Sequence, residues 1–350
     1  MERWSTRLAD GRELIYYAAA GGARRAAEAA DGRRLGGAAV VSEVRFDPLR
    51  GEPVAYAAHR QGRTYLPPDG ECPLCPSRGG RRTEIPAADY EVAVLENRFP
   101  AFAGGDGRCE VVCFSAEHGV SFAELTPERV ALVLWAWTDR TAALGRLPGV
   151  RQVYCFENSG TEIGVTLAHP HGQVYGYPYV TPHTARALRA VAEHRERTGA
   201  NLYDEILAAE RADGRRVVRE SARWIAFVPR AARWPYEVHL YPRRRVPDLM
   251  SLDEEERAEF PEVYLDLLRR FAGLFGPAHR DTPYIAGWHQ VPAGLVARER
   301  EDFALHLELF TIRRGPGRLK HLAGSESGMG AFLNDVLPES AAHQLRKAAP

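Results

Sequence analysis

Apolar and polar residues alternate along this chain in short runs broken by Gly, Pro and Asp, and longer stretches of helical period lie between them. From about Val41 the run VSEVRFDPLRGEPVAYAAHR reads as a strand, a turn at 47–51 and a second strand. Residues 125–145, 183–212, 252–275 and 338–347 repeat apolar positions every three or four residues and are predicted helices. Polar residues stand where caps belong: Thr126 ahead of Pro127, and Ser251 or Asp253 ahead of a run of Glu. Strands and helices interleave, which predicts an α/β or α+β class. Residues 18–38, rich in Ala, Gly and Arg, read equally as a helical arm or a mobile linker, and the ordered fold is expected to start near Val41.

The pattern repeats. EVVCFSAEHGVSFAELTPER at 110–129 and EVHLYPRRRVPDLMSLDEEE at 237–256 share an offset of 127: Glu-Val, an alternating strand, a polar bend, then Leu125 or Leu252 before a capped helix. Later in each half comes another apolar strand carrying histidine, TLAHPHGQVY near 166–175 and FALHLELF near 303–310. Two copies of one α/β unit account for the length better than two unrelated domains.

Composition narrows the partners. The formal net charge is zero and no long basic tract occurs, which argues against nucleic acid and leaves a nucleotide open. No apolar run approaches the roughly 18–20 residues a membrane-spanning helix needs, and residues 1–15 lack the apolar core of a secretory signal. Five cysteines, at 72, 75, 109, 113 and 155, are too few for a disulfide framework in 350 residues, so a reducing cytoplasm is expected.

The chemistry concentrates in Thr166-Leu-Ala-His169-Pro170-His171-Gly172-Gln173. In an extended segment His169, His171 and Gln173 share one face. Pro170 removes a ladder donor, and Gly172 lets a bulky group approach the backbone. A neutral imidazole nitrogen can attack an α-phosphorus without first losing a proton, dividing one hard displacement into two easier ones. Gln173 would donate to a non-bridging oxygen, and since an amide does no acid–base work, this face favours transfer to a second substrate over hydrolysis. Cys72-Pro-Leu-Cys75, after a Pro-Asp-Gly turn, suits a metal knuckle; a redox pair and coincidence compete with that reading.

His-Pro-His-Gly-Gln resembles the signature of the galactose-1-phosphate uridylyltransferases, the transferase branch of the histidine-triad superfamily. The likeness extends over most of 43–340 through FDPLRGEPVAYAAHRQGR, CPLC, ENRFPAF, FENSGTEIG and LKHLAGSESGMGAF. The resemblance implies a tandem duplication of a histidine-triad-like unit, each a mostly antiparallel sheet with flanking helices. It implies an arm at 1–40, a catalytic half at 41–182, and a second half at 183–350 that ends in a hexose-contact segment. The implied reaction is ping-pong: UDP-glucose uridylylates His171, then galactose 1-phosphate carries the group away as UDP-galactose. His118 and His169 would complete a structural zinc site with Cys72 and Cys75.

Substrate contacts implied in the same way are Arg60, Arg63, Asn97, Asn158, Thr166, Gln173, Lys320 and Glu326, with Glu157 as a further position and Asn334 as a possible substitute where Phe332 replaces a family glutamine. A second metal site of some relatives is broken here: His289 and His306 match, Glu308 replaces a histidine, and the glutamate position falls near Ala187, one helical turn beyond His183. That site is therefore doubtful, and one zinc per chain is expected. A homodimer is implied by analogy. Two rival readings remain: an ADP-sugar or dinucleotide nucleotidyltransferase or phosphorylase that shares His171, and a non-catalytic nucleotide-binding zinc protein.

Overall fold

The computed structural model describes residues 1–35, 42–62, 66–68, 70–103 and 107–348. The chain divides into two compact units: Met1–Cys155 with Thr166–Ala185 and Pro292–Gly294, and Phe156–Val165 with Arg186–Val291 and Leu295–Pro350.

The first unit contains β1 (Glu2–Arg7), β2 (Glu13–Ala18), α1 (Gly22–Ala27), β3 (Glu43–Asp47), β4 (Glu52–Tyr56), β5 (Val92–Glu96), β6 (Arg108–Cys113), α2 (Pro127–Leu144), the first half of β7 (Gln152–Ser159) and β8 (His171–Tyr177). Its sheet runs β1-β2-β5-β6-β8-β7, and each pairing from β1 to β8 is antiparallel. β1 and β2 lie ahead of Val41, where the sequence reading began the ordered fold. The run ELIYYA is central in the sheet, with Leu14 and Tyr17 wholly buried. Helix α2 starts as its sequence predicts: the Thr126 hydroxyl accepts from Arg129 N at 3.3 Å, and Pro127 needs no donor partner. Arg140 on α2 meets Glu110 on β6 through two bonds of 2.8 and 2.9 Å, both residues buried, which marks this face of the sheet as the one under α2. The hairpin β3–β4 forms where predicted, as a separate two-stranded sheet.

Helix α3 (Pro182–Thr198) follows, then α4 (Leu202–Asp213), β9 (Val217–Glu220), β10 (Trp224–Phe227), β11 (Val238–Pro242), α5 (Glu254–Gly273), β12 (Tyr284–His289), α6 (Ala297–Asp302), β13 (His306–Phe310), β14 (Arg313–Gly315), β15 (Arg318–Leu319) and α7 (Pro338–Lys347). The predicted single helix at 183–212 is broken. Gly199 adopts φ +76°, and the Asn201 side chain caps a new start by accepting from Tyr203 N and Asp204 N. Asp253 and Glu256 form a reciprocal capping box at the start of α5.

The second unit's sheet runs from the far half of β7 through β12-β13-β11-β10-β9. Within the first unit β8 lies between β6 and β7; within the second β13 lies between β11 and β12. The strand preceding each long helix, α2 or α5, pairs with the histidine-bearing strand in both. The order repeats element by element, so the fold is a tandem duplication of one antiparallel α/β unit.

Candidate functional site

Burial alternates along β8. Gly172, Val174 and Gly176 face the buried side, while His171, Gln173, Tyr175 and Tyr177 stand half-buried on the other. A Cβ at Gly176 would lie 2.9 Å from Val150 Cγ2, so this glycine serves packing. Of the face expected to carry His169, His171 and Gln173, the strand carries His171 and Gln173, and His169 does not share it. His169 and Pro170 precede the strand in a bend, with His169 buried.

His171 Nδ1 donates to the His169 carbonyl at 2.7 Å. That bond fixes the tautomer and leaves the Nε2 lone pair unprotonated, and no described residue hydrogen-bonds Nε2. Burial pushes the His171 pKa below its ordinary value against the opposing pull of the His169 carbonyl, so the ring is neutral at physiological pH. The register sets His171 opposite Cys113 and Gln173 opposite Val111.

Cys72, Cys75, His118 and His169 converge until one ligand atom of each lies within 4.8 Å of the rest. Cys75 Sγ is 3.3 Å from His118 Nδ1 and 3.7 Å from His169 Nδ1. A tetrahedral ion with metal–sulfur bonds of about 2.3 Å and metal–nitrogen bonds of about 2.0 Å has a sulfur–nitrogen edge of about 3.5 Å. The observed edges bracket that value, so the four residues fit a metal ion, with a donor set compatible with zinc. Burial and the neighbouring Cys72 push the Cys75 thiol up to about 11, and burial takes His169 down to about 4. A cation at the centre would reverse the penalty on the thiolate.

The other expected site residues divide as follows. In the first unit, Arg60 Nη1 donates to the Phe99 carbonyl at 2.8 Å, and Asn97 Oδ1 accepts from Phe99 N at 2.8 Å in a local turn. The Thr166 carbonyl accepts from Leu66 N at 2.9 Å. Arg63 lies outside the described residues. In the second unit, Asn158 pairs with Ile285 in the ladder. Lys320 Nζ donates to Glu326 Oε1 at 2.9 Å, so both buried charges are matched within one loop. Asn334 donates to the Ala232 and Trp234 carbonyls at 3.1 and 3.0 Å, which ties its amide to a neighbouring loop. Glu157 is engaged within the fold as well. It is buried, accepts from Tyr284 Oη at 2.8 Å, and burial raises its pKa to about 8.

Two residues that sequence reasoning missed belong to these clusters. Tyr90 touches His169, with its hydroxyl 2.9 Å from Nε2. His239 joins the second unit's histidines: its Nε2 lies 2.9 Å from Glu237 and 3.6 Å from Glu308, whose carboxylate also lies 3.3 Å from His289 and 3.5 Å from His306. Burial opposes charge on both His239 and Glu308. Glu308 and Glu237 outweigh it at His239 and raise the imidazole, while His289 and then His239 outweigh it at Glu308 and lower the carboxyl. The alternation of EVHLY marks His239 as a strand position sharing a face with Glu237, but a lone histidine in a strand gives no sign of its partners.

The first unit thus presents an imidazole at the head of one strand with a two-thiol, two-imidazole cluster behind it. The family model for the galactose-1-phosphate uridyl transferase N-terminal domain matches residues 102–181, and that for the C-terminal domain matches residues 187–349. A galactose-1-phosphate uridylyltransferase of Streptomyces lividans is 52% identical over 361 aligned residues, covering 100% of this chain and 98% of that protein. One from Thermotoga maritima is 32% identical, covering 87% of this chain and 98% of its own. A solved uridylyltransferase structure superposes with a TM-score of 0.76 at 30% identity, over 87% of this chain and 98% of that one. The chain belongs to the galactose-1-phosphate uridylyltransferase family. No helix among the described residues is long and apolar enough to cross a membrane.

Proposed function

We propose that the protein transfers a uridylyl group from UDP-glucose to galactose 1-phosphate through a covalent link to His171. The observation that carries this reading is the 2.7 Å bond from His171 Nδ1 to the His169 carbonyl, which aims an unprotonated Nε2 off the half-buried face of β8. Nε2 attacks the α-phosphorus, the bond to the β-phosphate oxygen breaks, and its electron pair leaves with glucose 1-phosphate. A phosphate oxygen of galactose 1-phosphate then attacks the same phosphorus, the P–N bond breaks, and the pair returns to Nε2. No described residue engages the Gln173 carboxamide, which leaves its N–H groups to donate to a non-bridging oxygen in both steps. Arg60, Arg63, Asn97, Asn158 and Thr166 are the proposed contacts to the nucleotide and phosphates, and Lys320 and Glu326 those to the hexose phosphate.

In this reading residues 41–182 form the catalytic half and 183–350 the half that ends in the hexose segment, in a cytoplasmic enzyme. Cys72, Cys75, His118 and His169 would hold one structural zinc per chain, which fixes the bend leading into β8. One metal per chain is proposed; Glu308, with His239, His289 and His306 around it, is where a second ion would be sought, and metal analysis giving two per chain would reject that count. A homodimer is proposed, for which the exposed apolar side chains of the β3–β4 hairpin are suited.

Turnover with UDP-glucose and galactose 1-phosphate, compared with ADP-glucose and phosphate, tests the substrate assignment. The expected result is uridylyl transfer with parallel-line, ping-pong initial rates. Turnover with the adenine pair alone would reject it.

A further inference from the structure

Tyr90 lies just ahead of β5, buried, and its hydroxyl stands at a junction of three chain segments. It is 3.2 Å from the carbonyl of Leu74, inside the Cys72–Cys75 knuckle. It is 2.8 Å from the carbonyl of Ser115, on the segment that leads from β6 to His118. It is 2.9 Å from Nε2 of His169. Each segment carries a member of the four-residue cluster, and one oxygen touches all three.

The proton count fixes the roles. His169 turns Nδ1 toward Cys75 Sγ, so a neutral ring that ligates through Nδ1 carries its proton on Nε2. That N–H is shared between the Ser115 carbonyl, at 2.8 Å, and the Tyr90 oxygen. The tyrosine's single O–H then goes to one of the two carbonyls. Protonation on Nδ1 instead would turn a donor toward the metal position and leave Nε2, as an acceptor, facing a carbonyl oxygen. The Ser115 carbonyl, which has no proton to give, disfavours that tautomer, and Tyr90 could serve it only by withdrawing its O–H from a carbonyl.

The same histidine continues the chain of contacts outward. The His169 backbone carbonyl accepts from His171 Nδ1, so the residue whose ring Tyr90 holds also sets the tautomer of the proposed nucleophile. We propose that Tyr90 is a positioning residue: its hydroxyl holds His169 with Nδ1 facing the metal position, ties the three ligand-bearing segments together, and through His169 aligns His171. This inference rests on the reading of Cys72, Cys75, His118 and His169 as a metal site.

Tyr90→Phe keeps the ring and its packing against Tyr16, whose centroid is 6.4 Å away, and removes only the hydroxyl. Tyr16→Phe is the control: it deletes the other buried hydroxyl of the same tyrosine pair, which lies by the Ala87 backbone and not against His169. The full-length wild type and both variants are stripped of metal and titrated with Co(II) against a competing chelator, recording the ligand-field bands. Tyr90→Phe is expected to bind cobalt about 10- to 100-fold more weakly with shifted bands, and Tyr16→Phe to match wild type. In steady state, zinc-loaded Tyr90→Phe is expected to lose kcat with KM for UDP-glucose little changed. Wild-type affinity and bands in Tyr90→Phe overturn the positioning role while leaving the metal site standing. A wild-type chain that binds no cobalt, or binds it equally well after Cys72→Ser, overturns the metal reading and this inference with it.

Discussion

At the scale of single residues, the chemistry of a side chain was legible in the sequence wherever its partners are close in the chain. His171 and Gln173 are two apart on one strand, and strand period alone puts them on one face, as found. Asn97 is likewise a local matter, an amide accepting from the N–H two residues on. Glu157 stands beside Asn158, and strand alternation turns it into the buried side, against Tyr284. Tyr90 and His239 were missed because their partners lie 79 and 69 residues away.

The Glu157 environment yields a pH prediction. Its carboxyl is held protonated, with a pKa raised from 4.5 to about 8 in the folded chain. Its stabilising contribution is therefore complete below about pH 4.5 and is lost as pH climbs toward 8, because the unfolded chain ionises first. Glu157→Gln preserves the neutral shape and removes the titration. Urea unfolding at pH 5 and pH 8 should show wild type losing on the order of 2 kcal/mol or more relative to the variant across that interval. Parallel profiles would mean that Glu157 is charged in the fold.

At the scale of elements, helix starts were legible because caps are local chemistry: Thr126 with Pro127, and Asp253 with Glu256, open α2 and α5 as their sequences announce. β2 was not. ELIYYA is buried along its length between β1 and β5, so it lacks the polar alternation that marks a half-exposed strand. The Ala- and Arg-rich stretch after it drew the reading toward an arm, yet Arg33 reaches Glu84 at 2.7 Å, and Glu84 N donates to Pro73 within the cysteine knuckle at 2.9 Å. The first 35 residues thus brace the proposed metal site.

Helix α2 is fixed to its sheet by the buried Arg140–Glu110 pair. Arg140→Leu leaves Glu110 buried, with only the longer 3.3 Å contact to Arg108. The expected cost is about 3 kcal/mol in chemical denaturation, since removing one partner strands the other charge. A loss below about 0.5 kcal/mol would place the pair in the class of exposed ion pairs.

At the scale of the whole molecule, the duplication was legible, though the constant offset of 127 holds for helices better than for strands. Thr126 and Asp253 are equivalent caps at that spacing. Glu110 and Glu237 share it too, but Glu110 faces α2, whereas Glu237 shares a face with His239, opposite the face that Leu240, Ala226 and Trp224 turn toward α5. A one-residue slip inverts a strand's faces. The position of the proposed nucleophile differs in the second copy: Glu308 takes an imidazole's place on β13, with three histidines around it.

The β3–β4 hairpin leaves Leu49 96% exposed and Phe46 65% exposed, an apolar surface that a monomer has little reason to display. Sedimentation should find a dimer, and Phe46→Ser with Leu49→Ser should shift it toward monomer without loss of helical circular dichroism. A monomeric wild type would remove the hairpin from any account of assembly.

The most direct measurement is the intact mass of the protein after brief exposure to UDP-glucose with no acceptor present. Wild type should gain the mass of one uridylyl group per chain, lose it again on adding galactose 1-phosphate, and carry it on a peptide containing His171; His171→Ala should gain nothing. An unmodified wild type that still turns over, or an adduct that survives in His171→Ala, would contradict transfer through this imidazole.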